Sequence, residues 1–253
     1  MDYAALIPPL RRVVAEAGAE IMRFYERNDG AGQRAKADQS PVTDADLAAD
    51  AIIADALAVL APDIPAISEE TFDGTFTLSP EATFWLIDPL DGTREFLSRT
   101  GEFTVNIGLI VDRRPVLGIV GAPVFGEIFW GIVGQGAWRD RNGVVEQIHV
   151  RPRPEIGITV AGSRYHGNPT RLDNFLKDYN VASRYQRGSS YKFCDVASGV
   201  ADLNPALNCI HEWDTAAGHA IVVAAGGSVR TMDGQDLMYG KPGLDNPPYV
   251  VSG

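Results

Sequence analysis

The stretch Phe84-Trp85-Leu86-Ile87-Asp88-Pro89-Leu90-Asp91-Gly92-Thr93 runs from four large apolar residues into two aspartates three positions apart. An unbroken apolar run is what a strand needs when both of its faces are covered. Pro89 has no amide hydrogen and predicts the end of the ladder, and Gly92 gives the chain freedom to turn. Asp88 and Asp91 can then bring their carboxylates together at the strand's exit. Such a pair repels itself unless one acid is protonated or a cation lies between them. Taken alone, Asp-Gly is an equally good turn signal, so the pair reads with the same weight as a polar loop or a metal site.

The surrounding acids shift that balance. Ala66-Ile67-Ser68 reads as a short strand that ends in Glu69-Glu70, just upstream of the central run. Thr43 stands as an N-cap before a helix over about 47–60, with Asp46 where a capping-box acid sits, so that capping is the preferred account of Asp46 alone. Downstream, Trp213-Asp214 opens an alanine-rich helix that stops at Gly226-Gly227, with Asp214 expected as its N-cap. His219 has no second histidine four residues away and reads as a packed side chain. Asp46, Glu69, Asp88 with Asp91, and Asp214 each stand at the end of an element. Four such stations can converge on one edge of a layered α/β protein, as an all-oxygen site suited to Mg²⁺ rather than zinc or copper.

The rest of the chain supplies the layers. Leu6, Leu10, Val13, Ala17, Ile21 and Phe24 recur at helical spacing, and residues 28–32 break the pattern. Residues 71–83 read as a surface loop. A β-rich meander is predicted over 103–111, 115–124 and 127–133, with further short strands at 134–138 and 145–150. Arg151-Pro152-Arg153-Pro154 is a stiff polar connector and the best boundary, dividing the chain into 1–150 and 151–253. Beyond it the rhythm is α/β: strands at 156–161, 182–186 and 201–203, helices at about 169–179 and 189–199. Gly188-Ser189-Ser190 opens the helix containing Lys192, which suits a phosphate or an ordinary cap equally. Ser163-Arg164-Tyr165-His166 is either an anion contact or a plain loop.

Composition sets limits on partners. The 253 residues are 45% hydrophobic and 22% charged, as in a soluble globular chain of one large or two small domains. No apolar stretch approaches the roughly 18 residues of a membrane span, and residues 1–28 lack a signal-peptide pattern, so a cytoplasmic home is expected. A net charge of −11 argues against nucleic-acid binding, and an anionic substrate would need cations to approach. Cys194 and Cys209 form no C-x-x-C pair and read as buried free thiols.

At this point the chain resembles the lithium-sensitive, magnesium-dependent phosphatases typified by inositol monophosphatase. Their D-P-(I/L)-D-G-T stands here as Asp88 to Thr93, their E-E element as Glu69-Glu70, and their W-D-x-A-A-G as Trp213 to Gly218, in the same order and at similar spacing. Ser40 to Thr43, Asp88 to Phe96, Gly101 to Ile107, Gly188 to Cys194 and Trp213 to His219 look most like the bacterial 3′(2′),5′-bisphosphate nucleotidases. The resemblance implies a five-layer α-β-α-β-α sandwich and hydrolysis of a small phosphorylated substrate, adenosine 3′,5′-bisphosphate first among them, by water activated with two or three Mg²⁺ ions. It implies metal ligands at Glu69, Asp88, Asp91 and Asp214 and the Leu90 carbonyl. Asp46 and Thr93 would activate the water, with Glu69 also among the catalytic groups, which displaces the capping preference for Asp46. Gly92, Thr93, Ser163, Gly188, Ser189, Lys192 and Asp214 would face the substrate, and a homodimer is the family's habit. One stretch departs from the nucleotidase pattern: Asn204-Pro205-Ala206 replaces Y-P-R, while Leu207 falls near the acidic selectivity residue of inositol monophosphatase. The rival readings are therefore an inositol, sugar or histidinol phosphate phosphatase and, from another class, a non-catalytic metal-dependent nucleotide-binding protein.

Overall fold

The computed structural model describes residues 2–27, 32–35, 41–74, 79, 81–165 and 168–253. The break at 28–31, Ser40, most of the loop tip at 75–80 and His166 lie outside the described residues. In chain order the elements are α1 (Ile7–Arg27), β1 (Arg34–Ala35), β2 (Pro41–Val42), α2 (Asp44–Leu60), β3 (Ala66–Ser68), β4 (Thr83–Asp91), α3 (Thr93–Leu97), β5 (Thr104–Val111), β6 (Arg114–Ala122), β7 (Glu127–Ile132), β8 (Gly136–Arg141) and β9 (Val144–Ile148). There follow β10 (Ile158–Ser163), α4 (Pro169–Leu176), β11 (Val181–Arg187), α5 (Tyr191–Ala197), β12 (Leu203–Ala206), β13 (Ile210–His211), α6 (Ala216–Ala224), β14 (Ser228–Thr231), β15 (Asp245–Asn246) and β16 (Tyr249–Ser252).

β3 to β9 form one sheet in sequence order, parallel at β3–β4 and antiparallel thereafter, so the expected meander is the middle of a seven-stranded sheet. β4 is buried on both faces, as its apolar run requires. Trp85 and Ile87 point into a core shared with α1 and α2, whereas Phe84 and Leu86 point into a second core shared with α5, α6 and the other large sheet. That sheet has the order β11-β10-β12-β16-β14, and its outer face is covered by α4 through Leu172, Phe175 and Leu176. The layers are thus α1/α2, sheet, α5/α6, sheet, α4, the five-layer sandwich expected.

Several boundaries move. Pro89 does not end β4: the strand continues to Asp91 after a slip in register between Asp88 and Asp91, and the missing amide hydrogen falls within that irregularity. The second helix begins at Asp44, directly after its Thr43 cap, and α5 begins at Tyr191 rather than 189. The strand expected at 201–203 is displaced to Leu203–Ala206, where it pairs with β16. Asp214 is not the cap of α6, whose N-cap position is Thr215.

The seat of α6 is built from absence of side chains. Gly108, Gly118 and Gly131 lie opposite one another across β5, β6 and β7. A Cβ on Gly118 would stand 2.1 Å from the Ala217 carbonyl oxygen, and one on Gly108 2.7 Å from the Ala216 Cβ. The three form a trough along which α6 lies, its start over Gly108 and Gly118 and its later turns over Gly131, which fixes where the preceding turn, with Asp214, is delivered.

The connector after β9 is fastened rather than loose. Arg151 donates through Nε and Nη2 to both carboxylate oxygens of Asp202, at 2.7 and 2.6 Å, and the Thr159 amide donates to the same acid at 2.6 Å. Burial alone would raise the Asp202 carboxyl, but the guanidinium and the amide outweigh it and hold the group below the usual carboxylate range. A depressed carboxylate stabilises the fold above its unfolded pKa of about 3.9, and the contribution is lost as pH falls through the folded value. Asp202→Asn is therefore expected to cost about 1.5–3 kcal/mol at pH 7, with the difference from wild type shrinking below about pH 4. Denaturant unfolding across pH reads this directly, and a constant difference down to acid would refute it.

Candidate active site

Sheet register brings the first two acids together. Ala66, Ile67 and Ser68 lie beside Trp85, Leu86 and Ile87, and the Glu69 amide continues the ladder to the Ile87 carbonyl at 3.1 Å. Glu69 therefore leaves β3 next to Asp88. Asp214 arrives from the opposite layer, on the turn before α6. Carboxylate oxygens of Glu69, Asp88 and Asp214 all lie within 4.8 Å of one another. This convergence explains why Asp214 does not cap its helix: its carboxylate turns to the acid cluster.

The electrostatics of the cluster are those of a site built for a cation. Burial, then the charges of Glu69, Asp91 and Asp214, push the Asp88 carboxyl well above its ordinary value. Burial, Asp91 and Glu69 do the same to Asp214. Buried like charges at this spacing are expensive unless a cation joins them, and an all-carboxylate donor set is hard and anionic, the chemistry that Mg²⁺ takes. The residues present fit that ion.

Asp91 stands beside this trio and is held by donors from other elements. Its Oδ2 accepts the Ser190 amide at 2.5 Å and Asn106 Nδ2 at 3.3 Å. Asn106 Nδ2 also donates to Ser190 Oγ at 3.0 Å, and that hydroxyl donates to the Asp214 carbonyl. Leu90 is buried, with its carbonyl 3.4 Å from the Thr93 hydroxyl that donates to it. Gly92 turns the chain at a φ of 93°, a region that disfavours side chains, and α3 starts immediately after it.

Asp46 is the acid of a capping box and also meets Thr93. Its Oδ2 accepts the Thr43 amide at 2.8 Å and the Thr43 hydroxyl at 2.6 Å, completing a capping box for α2. Its Oδ1 accepts the Thr93 hydroxyl at 3.3 Å, so the cap aims a carboxylate at the start of α3.

The residues expected to face a substrate are more occupied than the sequence suggests. The Gly188 amide donates to Glu102 Oε2 at 2.9 Å and the Ser190 amide is taken by Asp91, so two amides of the Gly-Ser-Ser turn already serve carboxylates. Ser189 adopts a φ of 52°, and its carbonyl accepts from Lys192 Nζ. Burial lowers the Lys192 pKa, against the opposing pull of Asp91, Glu95, Asp214 and Glu102. Ser163 ends β10, and the next residue, Arg164, is tied to both oxygens of Glu102 at 2.9–3.1 Å. Asn204 points back into the sheet, donating to the Ala161 carbonyl at 2.7 Å.

Sequence reasoning gave no role to Asn106, Glu95 or Glu102, and read Ser190 only as part of the Gly-Ser-Ser turn. Asn106 did carry a signal, being the one amide side chain in the apolar run Thr104 to Val111. Glu95 is buried near Asp91, with its carboxyl raised first by burial and then by that charge.

The chain is similar to known proteins over nearly its whole length. A family model described as the inositol monophosphatase family matches residues 2–250. The 3′(2′),5′-bisphosphate nucleotidase CysQ of Escherichia coli strain K12 is 42% identical over 243 residues, 95% of this chain and 97% of that protein. Its namesake from Salmonella typhimurium is 43% identical over the same shares. The crystal structure of CysQ from Bacteroides thetaiotaomicron, a bacterial member of the inositol monophosphatase family, superposes with a TM-score of 0.82 at 32% identity, covering 100% of this chain and 98% of that one.

Proposed function

The chain belongs to the inositol monophosphatase family, and on that premise we propose that it is a Mg²⁺-dependent 3′(2′),5′-bisphosphate nucleotidase that hydrolyses adenosine 3′,5′-bisphosphate to AMP and phosphate. The observation that carries the reading is the meeting of Glu69, Asp88 and Asp214, from three distant segments, within 4.8 Å. Identity to nucleotidases over nearly the full length supports the substrate class.

Mg²⁺ bound by Glu69, Asp88, Asp91, Asp214 and the Leu90 carbonyl would supply positive charge to acidify water and to neutralise the phosphoryl oxygens. The protein's own residues do the rest. Thr93 accepts a proton at Oγ from the attacking water as it passes its own to Asp46 Oδ1, along the 3.3 Å contact already formed. Thr43 fixes Asp46 from behind with two donors, so the base keeps its orientation. The Gly92 and Thr93 amides hold the scissile phosphate, and Lys192 offsets its charge. Ser163, Gly188 and Ser189 border the rest of the substrate. Residues 1–150 carry most of the ligands and 151–253 complete the site. Two or three ions, a homodimer and a cytoplasmic setting belong to the same reading.

A release assay across phosphate esters tests it. Adenosine 3′,5′-bisphosphate is expected to exceed inositol 1-phosphate, fructose 1,6-bisphosphate and histidinol phosphate by at least about tenfold in kcat/KM. Preference for one of the others would keep the chemistry and overturn the nucleotide, a result that Asn204-Pro205-Ala206 makes worth seeking. Tight nucleotide binding with no phosphate released at saturating Mg²⁺ would overturn catalysis itself.

A further inference from the structure

The segment from Leu237 to Asn246 folds over the back of the turn that carries Asp214. Glu212, two residues before that acid, has no solvent exposure. Its carboxylate accepts the Gly240 amide at 2.7 Å, the Lys241 amide at 3.0 Å and the Lys241 ammonium at 2.5 Å. The same ammonium also donates to Asn246 Oδ1 at 2.8 Å and to the Met238 carbonyl. Asn246, fully buried, donates from Nδ2 to Thr215 Oγ1 at 2.8 Å, and the Tyr239 hydroxyl donates to that oxygen at 3.2 Å. Main-chain pairing of β13 with β15, and of the Glu212 amide with the Leu244 carbonyl at 2.8 Å, closes the strap. Residues 212 and 215 are thereby pinned on either side of Trp213 and Asp214.

A buried ion pair gives little net stability over apolar residues of similar size, so its presence here calls for another role. What it supplies is direction, since every donor of the ammonium and both oxygens of the carboxylate are committed. With Glu212 consumed by the strap, Asp214 alone of the two acids is left to face the cluster.

We propose that Glu212, Lys241 and Asn246 are positioning residues that set the divalent-cation affinity of the acid cluster by holding the Asp214 turn, without touching ion or substrate. The inference rests on Asp214 being a metal ligand. Residues that orient ligands in this way are typically worth about 10–100-fold in metal affinity.

The test uses the full chain with Lys241→Met, Glu212→Gln and, as control, Asp214→Asn. Mn²⁺ binding without substrate is followed by electron paramagnetic resonance, thermal unfolding is recorded in chelator, and the Mg²⁺ dependence of turnover is measured. Lys241→Met and Glu212→Gln are each expected to weaken Mn²⁺ binding and raise the half-saturating Mg²⁺ at least about tenfold, with kcat at saturating Mg²⁺ within about threefold of wild type. Lower thermal stability with unchanged Mn²⁺ affinity, while Asp214→Asn loses the ion, would overturn the strap's role and leave the site reading standing. Unchanged affinity in Asp214→Asn would overturn the site reading instead. Should the single variants fail to fold, the double variant Glu212→Gln/Lys241→Met removes both charges of the pair together, and wild-type affinity in it would refute the proposal.

Discussion

Asp88→Asn is expected to lower Mg²⁺-dependent phosphate release by at least about 10³-fold, a loss of about 4 kcal/mol of transition-state stabilisation, while making the metal-free protein more stable to heat. The two effects have one cause. Asp88 lies among Glu69, Asp91 and Asp214 in a buried setting that pushes its carboxyl pKa up. A carboxyl raised in the folded state costs stability at every pH above its unfolded value, because ionising it works against burial and neighbouring charge. Asparagine removes that cost. Its side-chain oxygen can still accept the Leu90 amide, which donates to Asp88 Oδ1 at 3.1 Å, so the local turn is preserved. The same substitution takes one anionic oxygen donor from the acid cluster. Thermal melts in chelator, paired with phosphate release over a Mg²⁺ series, separate the outcomes. A lower melting temperature with retained turnover would contradict the reading of Asp88 on both counts.

The second large effect is expected at a glycine beneath α6. Gly118→Val places a Cβ about where the Ala217 carbonyl oxygen now lies, 2.1 Å away, with two further methyl carbons behind it. Nothing flexible can yield, since the obstacle is the backbone of α6 and the neighbouring strands carry Gly108 and Gly131 in the same trough. Overpacking against backbone is expected to cost at least about 3 kcal/mol, or roughly 6–12 °C in melting temperature for a chain of this size. Any molecules that do fold must lift the start of α6, and with it the turn bearing Asp214, so turnover falls more than the folded fraction does. Gly118→Ala is the milder version, and a wild-type melting temperature and rate in that variant would show that the trough does not set the helix's position.

The sequence carries some of these features openly and hides others for physical reasons. β4 is legible because four large apolar residues in a row can only be a doubly covered strand, and the acids after it because they break that run so sharply. Thr43 and Asp46 are legible as a cap because the motif is local, three residues apart. The contact of Asp46 with Thr93 is not, since that residue comes to it only after the sheet has formed. Pro89 misleads for the opposite reason: its missing amide hydrogen is a local fact, whereas the register slip that accommodates it needs β5 alongside. Gly108, Gly118 and Gly131 each look like a weak point in a strand, and only their cross-strand alignment turns them into a seat for α6. Glu212 and Lys241 are 29 residues apart, and no periodicity joins them.

β4 has one face in the core beneath α1 and α2 and the other in the core around α5 and α6. Neither core can open without exposing part of the strand on which Asp88, Leu90 and Asp91 stand. The strand that carries Asp88, Leu90 and Asp91 is thereby denied the local fluctuation that frays an edge or a loop. Asp88 and Asp91 meet their mutual repulsion as the two cores close around β4, and what stays adjustable is the approach of Glu69 and Asp214 from the turns that bear them.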